Sequence, residues 1–247
     1  MGRIFEVRKH AMFARWNRMA KQFARIGKDI TIAVKAGGAD PNNNPTLRRV
    51  IQNARAINMP KDRVEAAIKK ASGQGAADYE TVVYEGYGPN GVALIVEALT
   101  DNRTRTASDV RHAFDKNDGN LGGSGAVAWL FERRGVVLVD ADKADEDELT
   151  LAAAEGGADD VTRDGSTFQV TSAPEALVAV REAIEAAGIP IESAELTMVP
   201  KTTVEVADES SAKKVLRLID QLEENDDIQD VYANFDIPEQ VLEAVAS

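Results

Sequence analysis

The chain contains no cysteine, only two histidines, His10 and His112, and few aromatic side chains, 5% of its 247 residues. Without thiols there is no disulfide framework, no cysteine nucleophile and no thiolate zinc site, and such usage suits a reducing, cytoplasmic setting. Two histidines far apart in sequence offer little from which to build a catalytic triad or a metal centre, so no catalytic residue, metal or cofactor is expected. Apolar runs are short as well, far below the ~18 residues of a membrane span, and no membrane association is expected. The opening stretch MGRIFEVRKHAMFARW is charged throughout and lacks the apolar segment of a secretory signal, while Glu6 stands where a myristoylation signal needs Ser or Thr.

What the chain does have is charge, unevenly placed. Residues 1–70 carry sixteen Lys and Arg against five Asp and Glu, a formal +11; residues 71–247 carry thirteen against thirty-six, a formal −23. So basic a head on so acidic a body points to a polyanion as its partner.

The head reads as three amphipathic helices. In RWNRMAKQFARIGKDITIAVKAGG, Trp16, Met19, Phe23, Ile26, Ile30 and Val34 recur at steps of three and four, and Gly37 and Gly38 end the run. Arg15, Arg18, Lys21, Arg25, Lys28 and Lys35 fall mainly on the opposite side, so one side is expected to be apolar and the other cationic. Asn44 and Pro45 open a second helix with Leu47, Val50, Ile51, Ala54 and Ile57 inward. Pro60 opens a third, with Asp62 at its start, Val64, Ala67 and Ile68 inward and Lys69 and Lys70 near its end. The expected phosphate contacts are Arg3, Arg8, Lys9, Arg15, Arg18, Lys21, Arg25, Lys28, Arg48, Arg49, Arg55, Lys69 and Lys70. Trp16 and Phe23 are expected in the core, and no zinc-finger, RNP or basic-zipper pattern that would read bases is present.

Gly86, Gly88 and Gly91 have the G-x-G-x-x-G spacing of a dinucleotide turn. That turn must join a strand to a helix, because pyrophosphate sits on the free N–H groups of the helix start. Here TVVYEGY precedes and the β-branched VALIVEAL follows Pro89-Asn90-Gly91, so the glycines are expected to close a β-hairpin, not to bind NAD or ATP. A helix is expected from about Thr106 to Lys116, then a glycine-rich loop feeding a strand AVAWLFER. Gly123-Ser124-Gly125 falls short of a serine-hydrolase elbow, since Ala126 occupies the last glycine position. Asn102-Arg103-Thr104 matches a glycosylation sequon, idle in a cytoplasmic protein.

From residue 136 the order is VVLVD, a helix over 144–155, a hairpin turning at Asp164-Gly165, a helix from Pro174 to Ala187, and ESAELTMVP. This is β-α-β-β-α-β, the ferredoxin-like order. The acids of DADKADEDE lack the sixth-position glycine of a calcium loop and suit a helix start. Strand, helix and strand follow in residues 202–237. The expected fold is α+β: a basic three-helix domain over 1–75, a discontinuous α/β domain over 80–135 plus 200–247, and an acidic ferredoxin-like insertion over 136–199.

NMPKDRVEAAIKKA, YEGYGPNGVALIVEALTDNRTRT, VRHAFDKNDGNLGGSGAVAWLFERRG and DDIQDVYANFDI together resemble the YebC/PmpR family over nearly the whole chain. The resemblance implies a helical N-terminal domain plus two α/β domains, the last inserted into the middle one. It also implies a non-enzymatic cytoplasmic regulator, a DNA-binding transcriptional regulator or, alternatively, a ribosome-associated translation factor that relieves stalls at proline-rich stretches. The nucleic acid would then be DNA or ribosomal RNA, and the acidic domains would be free to meet protein partners. Many members begin with Gly-His-Ser-Lys-Trp, which this chain lacks, so contacts of the extreme N-terminus do not carry over. The glycine blocks at 86–91 and 122–125 serve either as tight turns or as places where RNA or protein approaches the backbone.

Overall fold

The computed structural model describes residues 15–73 and 77–246, with side chains on the first helix from Gln22 onward. Helix α1 (Arg15–Gly37) buries Ile26, Ile30, Ala33 and Val34, as its period requires. It ends at Gly38, whose φ of 84° lets its N–H return to the Val34 carbonyl at 2.8 Å. Helices α2 (Pro45–Ala56) and α3 (Lys61–Ala71) pack on α1 through Leu47, Val50, Ala54 and Val64. Asn44 does more than cap. Its side-chain oxygen accepts the Leu47 N–H at 3.0 Å, while its amide donates to the carbonyls of Ala33 at 2.7 Å and Gly38 at 2.8 Å. One buried side chain thus starts the second helix and ties down the end of the first.

Strands β1 (Glu80–Tyr87) and β2 (Ala93–Thr100) pair antiparallel from Glu80 with Thr100 to Tyr87 with Ala93. The turn between them is the expected hairpin, a single 3-10 turn at Pro89–Gly91. Gly91 is needed there for its φ of 74°; Gly86 is needed for space, since a Cβ would meet the Asn120 carbonyl oxygen and Phe114 at 2.7 Å. Helix α4 (Arg103–Lys116) and the short β3 (Asn120–Leu121) follow. The helix starts three residues earlier than its periodicity predicts, because Asn102 caps it by accepting the Arg105 N–H at 3.1 Å. The sequon asparagine is a helix cap.

Strand β4 runs unbroken from Phe131 to Asp140, across the boundary expected at 135/136. The segment Ala126–Leu130, expected to be strand, is a turn and a 3-10 turn. Next come α5 (Glu146–Glu155), β5 (Ala158–Asp164), β6 (Thr167–Ser172), α6 (Leu177–Ala186) and β7 (Ile191–Pro200), in the sheet order β5-β6-β4-β7 with every pair antiparallel. That is the ferredoxin-like arrangement, cored by Val137, Val139, Phe168, Leu149 and Ile184. Asp145 caps α5 through the N–H groups of Asp147 and Glu148, so the acidic run is a helix start.

The chain then returns through β8 (Val204–Glu205), α7 (Glu209–Glu223), β9 (Ile228–Ala233), β10 (Phe235–Asp236) and α8 (Glu239–Ala246), the last helix having no counterpart among the expected elements. Strand β9 joins β2, giving the sheet β3-β1-β2-β9. Leu94, Val96 and Ala98 face Phe114 of α4, Leu218 of α7 and Leu242 of α8 in one core. No helix among the described residues is long and apolar enough to cross a membrane.

Candidate nucleic-acid interface

The expected cations separate into three groups. Arg3, Arg8 and Lys9 lie outside the described residues, as do the side chains of Arg15, Arg18 and Lys21. Arg48, Arg49 and Arg55 on α2, and Lys69 and Lys70 on α3, are exposed. Arg48 donates to the carbonyls of Pro41 at 3.2 Å and Asn42 at 3.0 Å, which fixes its guanidinium and spends none of its charge. Arg49 lies within the field of the half-buried Asp29, whose carboxyl burial pushes up and Arg25 and Arg49 pull back. Arg63 places its guanidinium 5.6 Å from the centre of the half-buried Phe23 ring, a cation–π contact that partly covers this aromatic.

Lys28 corrects the expectation. It is buried, and each of its three ammonium protons has an acceptor: the Leu99 carbonyl at 2.8 Å, the Asp226 carbonyl at 2.8 Å and the Asp227 carboxylate at 2.9 Å. It therefore has nothing left to offer a phosphate. The reason is that this side of α1 does not face water at Lys28; it meets the ends of β2 and β9. Nearby Arg25 approaches Asp230 at 3.6 Å, so a second cation of the row faces an acid of the sheet. Lys35, on the same helix, pairs with Asp78.

The junction centres on Asp227, which no sequence signal singles out from its neighbours in ENDDIQD. Besides Lys28, its carboxylate accepts from Arg105 at 2.6 Å, the Thr106 hydroxyl at 2.8 Å and the Thr100 hydroxyl at 3.2 Å. Burial opposes the charge, but the hydrogen bonds from Arg105, Lys28 and Thr106 outweigh it and bring the Asp227 carboxyl down to about 2. The Tyr79 ring lies 5.3 Å from the Lys28 ammonium.

A second buried carboxylate, Glu85, holds the glycine-rich loop. It accepts the N–H groups of Gly125 at 2.7 Å and of Val127 and Ala128 at 2.8 Å. Burial opposes its charge, and the three backbone bonds together hold its carboxyl below the ordinary value. With the N–H groups of Val127 and Ala128 taken by Glu85, and those of Ala126 and Leu130 bonded to the carbonyls of Gly123 at 3.2 Å and Val127 at 2.9 Å, this segment has few donors left for a strand ladder, and β4 begins at Phe131. Ser124 is exposed and is followed by a turn, not a helix, and His112 is exposed on α4; His10 lies outside the described residues.

Residues 3–74 match the model of the TACO1/YebC protein N-terminal domain, and residues 79–235 match that of the TACO1/YebC second and third domain. A probable transcriptional regulatory protein of Rubrobacter xylanophilus is 54% identical over 226 residues, 91% of this chain and 90% of that protein. One of Fusobacterium nucleatum is 50% identical over 236 residues, 95% of each. Among solved structures, a conserved hypothetical protein from Aquifex aeolicus is similar with a TM-score of 0.75 at 46% identity, covering 90% of this chain and 92% of that one. With both domain models matched in order and relatives aligned along almost their whole length, the chain belongs to the TACO1/YebC family.

Proposed function

We propose that this protein is a non-enzymatic, cytoplasmic regulator that binds nucleic acid, a DNA-binding transcriptional regulator of the YebC/PmpR type, and that its helical N-terminal domain holds the phosphates. The observation that carries the reading is the set Arg49, Arg55, Lys69 and Lys70. All four are exposed and none forms an ion pair among the described residues, although the rest of the chain holds a large excess of acid. The names of the relatives support the regulatory role. Lys28 is withdrawn from the contact set because its protons are all engaged. The acidic domains, repelled by the same polymer, turn outward and are free to meet protein partners.

Replacing Arg49, Arg55, Lys69 and Lys70 together with Glu tests this. Binding should fall steeply, and the slope of log K against log salt should lose ~0.9 for each phosphate contact removed. A folded variant with unchanged affinity and slope would defeat the reading. Crosslinking in cells and sequencing the attached nucleic acid then separates promoter DNA from ribosomal RNA, the target that action at the ribosome requires.

A further inference from the structure

The loop between β3 and β4 presents aromatic surface where a folded chain usually hides it. Trp129 is 65% exposed and Tyr87 37%. Neither is loose, for the Trp129 indole N–H and the Tyr87 hydroxyl both donate to the Ala126 carbonyl at 3.2 Å. The loop beneath them is fixed in turn by Glu85, whose carboxylate holds Gly125, Val127 and Ala128 and whose own carbonyl accepts the Gly122 N–H at 2.8 Å. A Cβ added to Gly123 or Gly125 would meet nothing within 4 Å, so the crest of the loop is backbone open to solvent. Beside it, the Lys201 ammonium donates to the Trp129 carbonyl at 3.1 Å, which leaves two of its protons for another acceptor.

The loop and α1 lie over the same side of the sheet. Leu94, Val96 and Ala98 point to the helices of the main core, so Ala93, Ile95 and Glu97 point the other way. Ile95 is paired with Glu85, under the loop; Glu97 is paired with Asp230, which Arg25 of α1 approaches. Two residues of β2, ~7 Å, separate those two levels. Burial pushes the Glu97 carboxyl up, Asp230 adds to that, and Arg133, exposed near the start of β4, pulls it part of the way back, while Arg25 approaches Asp230.

We propose that Trp129 and Tyr87 form a stacking platform for an unpaired nucleobase, with Lys201 meeting an adjoining phosphate, so that the nucleic acid bound is single-stranded or looped at this point. The proposal rests on the nucleic-acid reading above and adds what form of polymer is held. Every base has a face that stacks on an aromatic ring, and only an unpaired base can present it. An indole already fixed in one orientation gives up little rotamer freedom on binding.

The test compares the full chain, Trp129→Ala, Trp129→Phe and the fourfold Glu variant by anisotropy, against unstructured single-stranded DNA and RNA and the DNA duplex of the same sequence. Trp129→Ala should weaken single-strand binding between ~5- and ~100-fold, with the salt slope kept and duplex binding within about twofold. Trp129→Phe, which keeps a stacking ring, should recover most of the loss. Single-strand binding indifferent to Trp129→Ala, or a loss shared equally by duplex and single strand, overturns the platform and leaves the aromatic pair to a protein partner. If only the fourfold Glu variant loses binding, the platform alone fails; if the wild type binds neither form, the nucleic-acid reading fails with it.

Discussion

Asp227 and Glu85 are buried carboxylates at different places on the same four-stranded sheet, and they are neutralised in opposite ways. Asp227 lies before β9 and takes its partners from side chains: Lys28, 199 residues away in sequence, Arg105, 122 away, and two threonine hydroxyls. Glu85 lies within β1 and takes three backbone N–H groups from a single loop 40 to 43 residues on. The first arrangement spends full charges to join α1 to the sheet. The second uses peptide dipoles to shape one loop and draws on no side-chain cation to do so. A side-chain cation given to a carboxylate is lost to a phosphate; a carboxylate held by backbone N–H groups uses up no cation.

The sharpest break of this comparison is Asp227→Ala. It strands Lys28 in a buried site without its counter-charge, a change that typically costs ~3–5 kcal/mol. Denaturant unfolding should show the loss, and hydrogen exchange should place the loosening in α1 before the β4–β7 sheet. Acid should act the same way. With its carboxyl at about 2 in the fold against an ordinary 3.8, Asp227 contributes stability that is complete above the ordinary value and is lost as pH falls from there toward about 2. The gap between wild type and Asp227→Ala should therefore close over that window. A gap that stays constant down to the acid limit would mean that the charge on Asp227 contributes nothing to the junction.

Glu85→Gln should cost less, ~1.5–3 kcal/mol, because one amide oxygen remains to accept while the NH2 group now faces N–H donors. Its signature should be local. Residues 122–130 should gain mobility, and the Trp129 indole should lose its fixed orientation. Loss of single-strand binding in this variant with phosphate binding intact would link the carboxylate to the platform. An unmoved loop would show that Glu85 is not what holds it.

Most elements are legible in the sequence because they bury a periodic stripe: Ile26, Ile30 and Val34 on α1, the alternation in β1, and the hairpin that Pro89, Asn90 and Gly91 announce. The ferredoxin-like order follows from the same signals. The fate of Lys28 is not legible. A helical period says which side chains share a side, but a cationic side faces water only if nothing docks on it, and α1 is covered both by α2 and α3 and, at Lys28, by the sheet. The start of β4 was hidden for a related reason: Ala126–Leu130 has strand composition, but the N–H groups of Val127 and Ala128 are claimed by a glutamate forty residues earlier and those of Ala126 and Leu130 by the turn itself. Glu85 itself leaves only a faint trace, an acid in a β pattern at a position paired with Ile95. Of the exposed cations, Arg49, Arg55, Lys69 and Lys70 lie on short helices that, among the described residues, leave them exposed.

The smallest effect belongs to the outer pair of the junction, Arg25 with Asp230. Their side chains are 36% and 51% exposed and 3.6 Å apart, so water and salt screen them, whereas Lys28 and Asp227 lie inside. Asp230→Asn should change stability by less than ~1 kcal/mol, with the difference vanishing at high salt, while the cost of Asp227→Ala should persist there. The same substitution should raise nucleic-acid affinity slightly at low salt, because it removes an acid that competes with phosphate for Arg25. A stability loss as large as that of Asp227→Ala would mean that the junction is held along the whole of α1 and not at one buried point, and the division between structural Lys28 and available Arg25 would go with it.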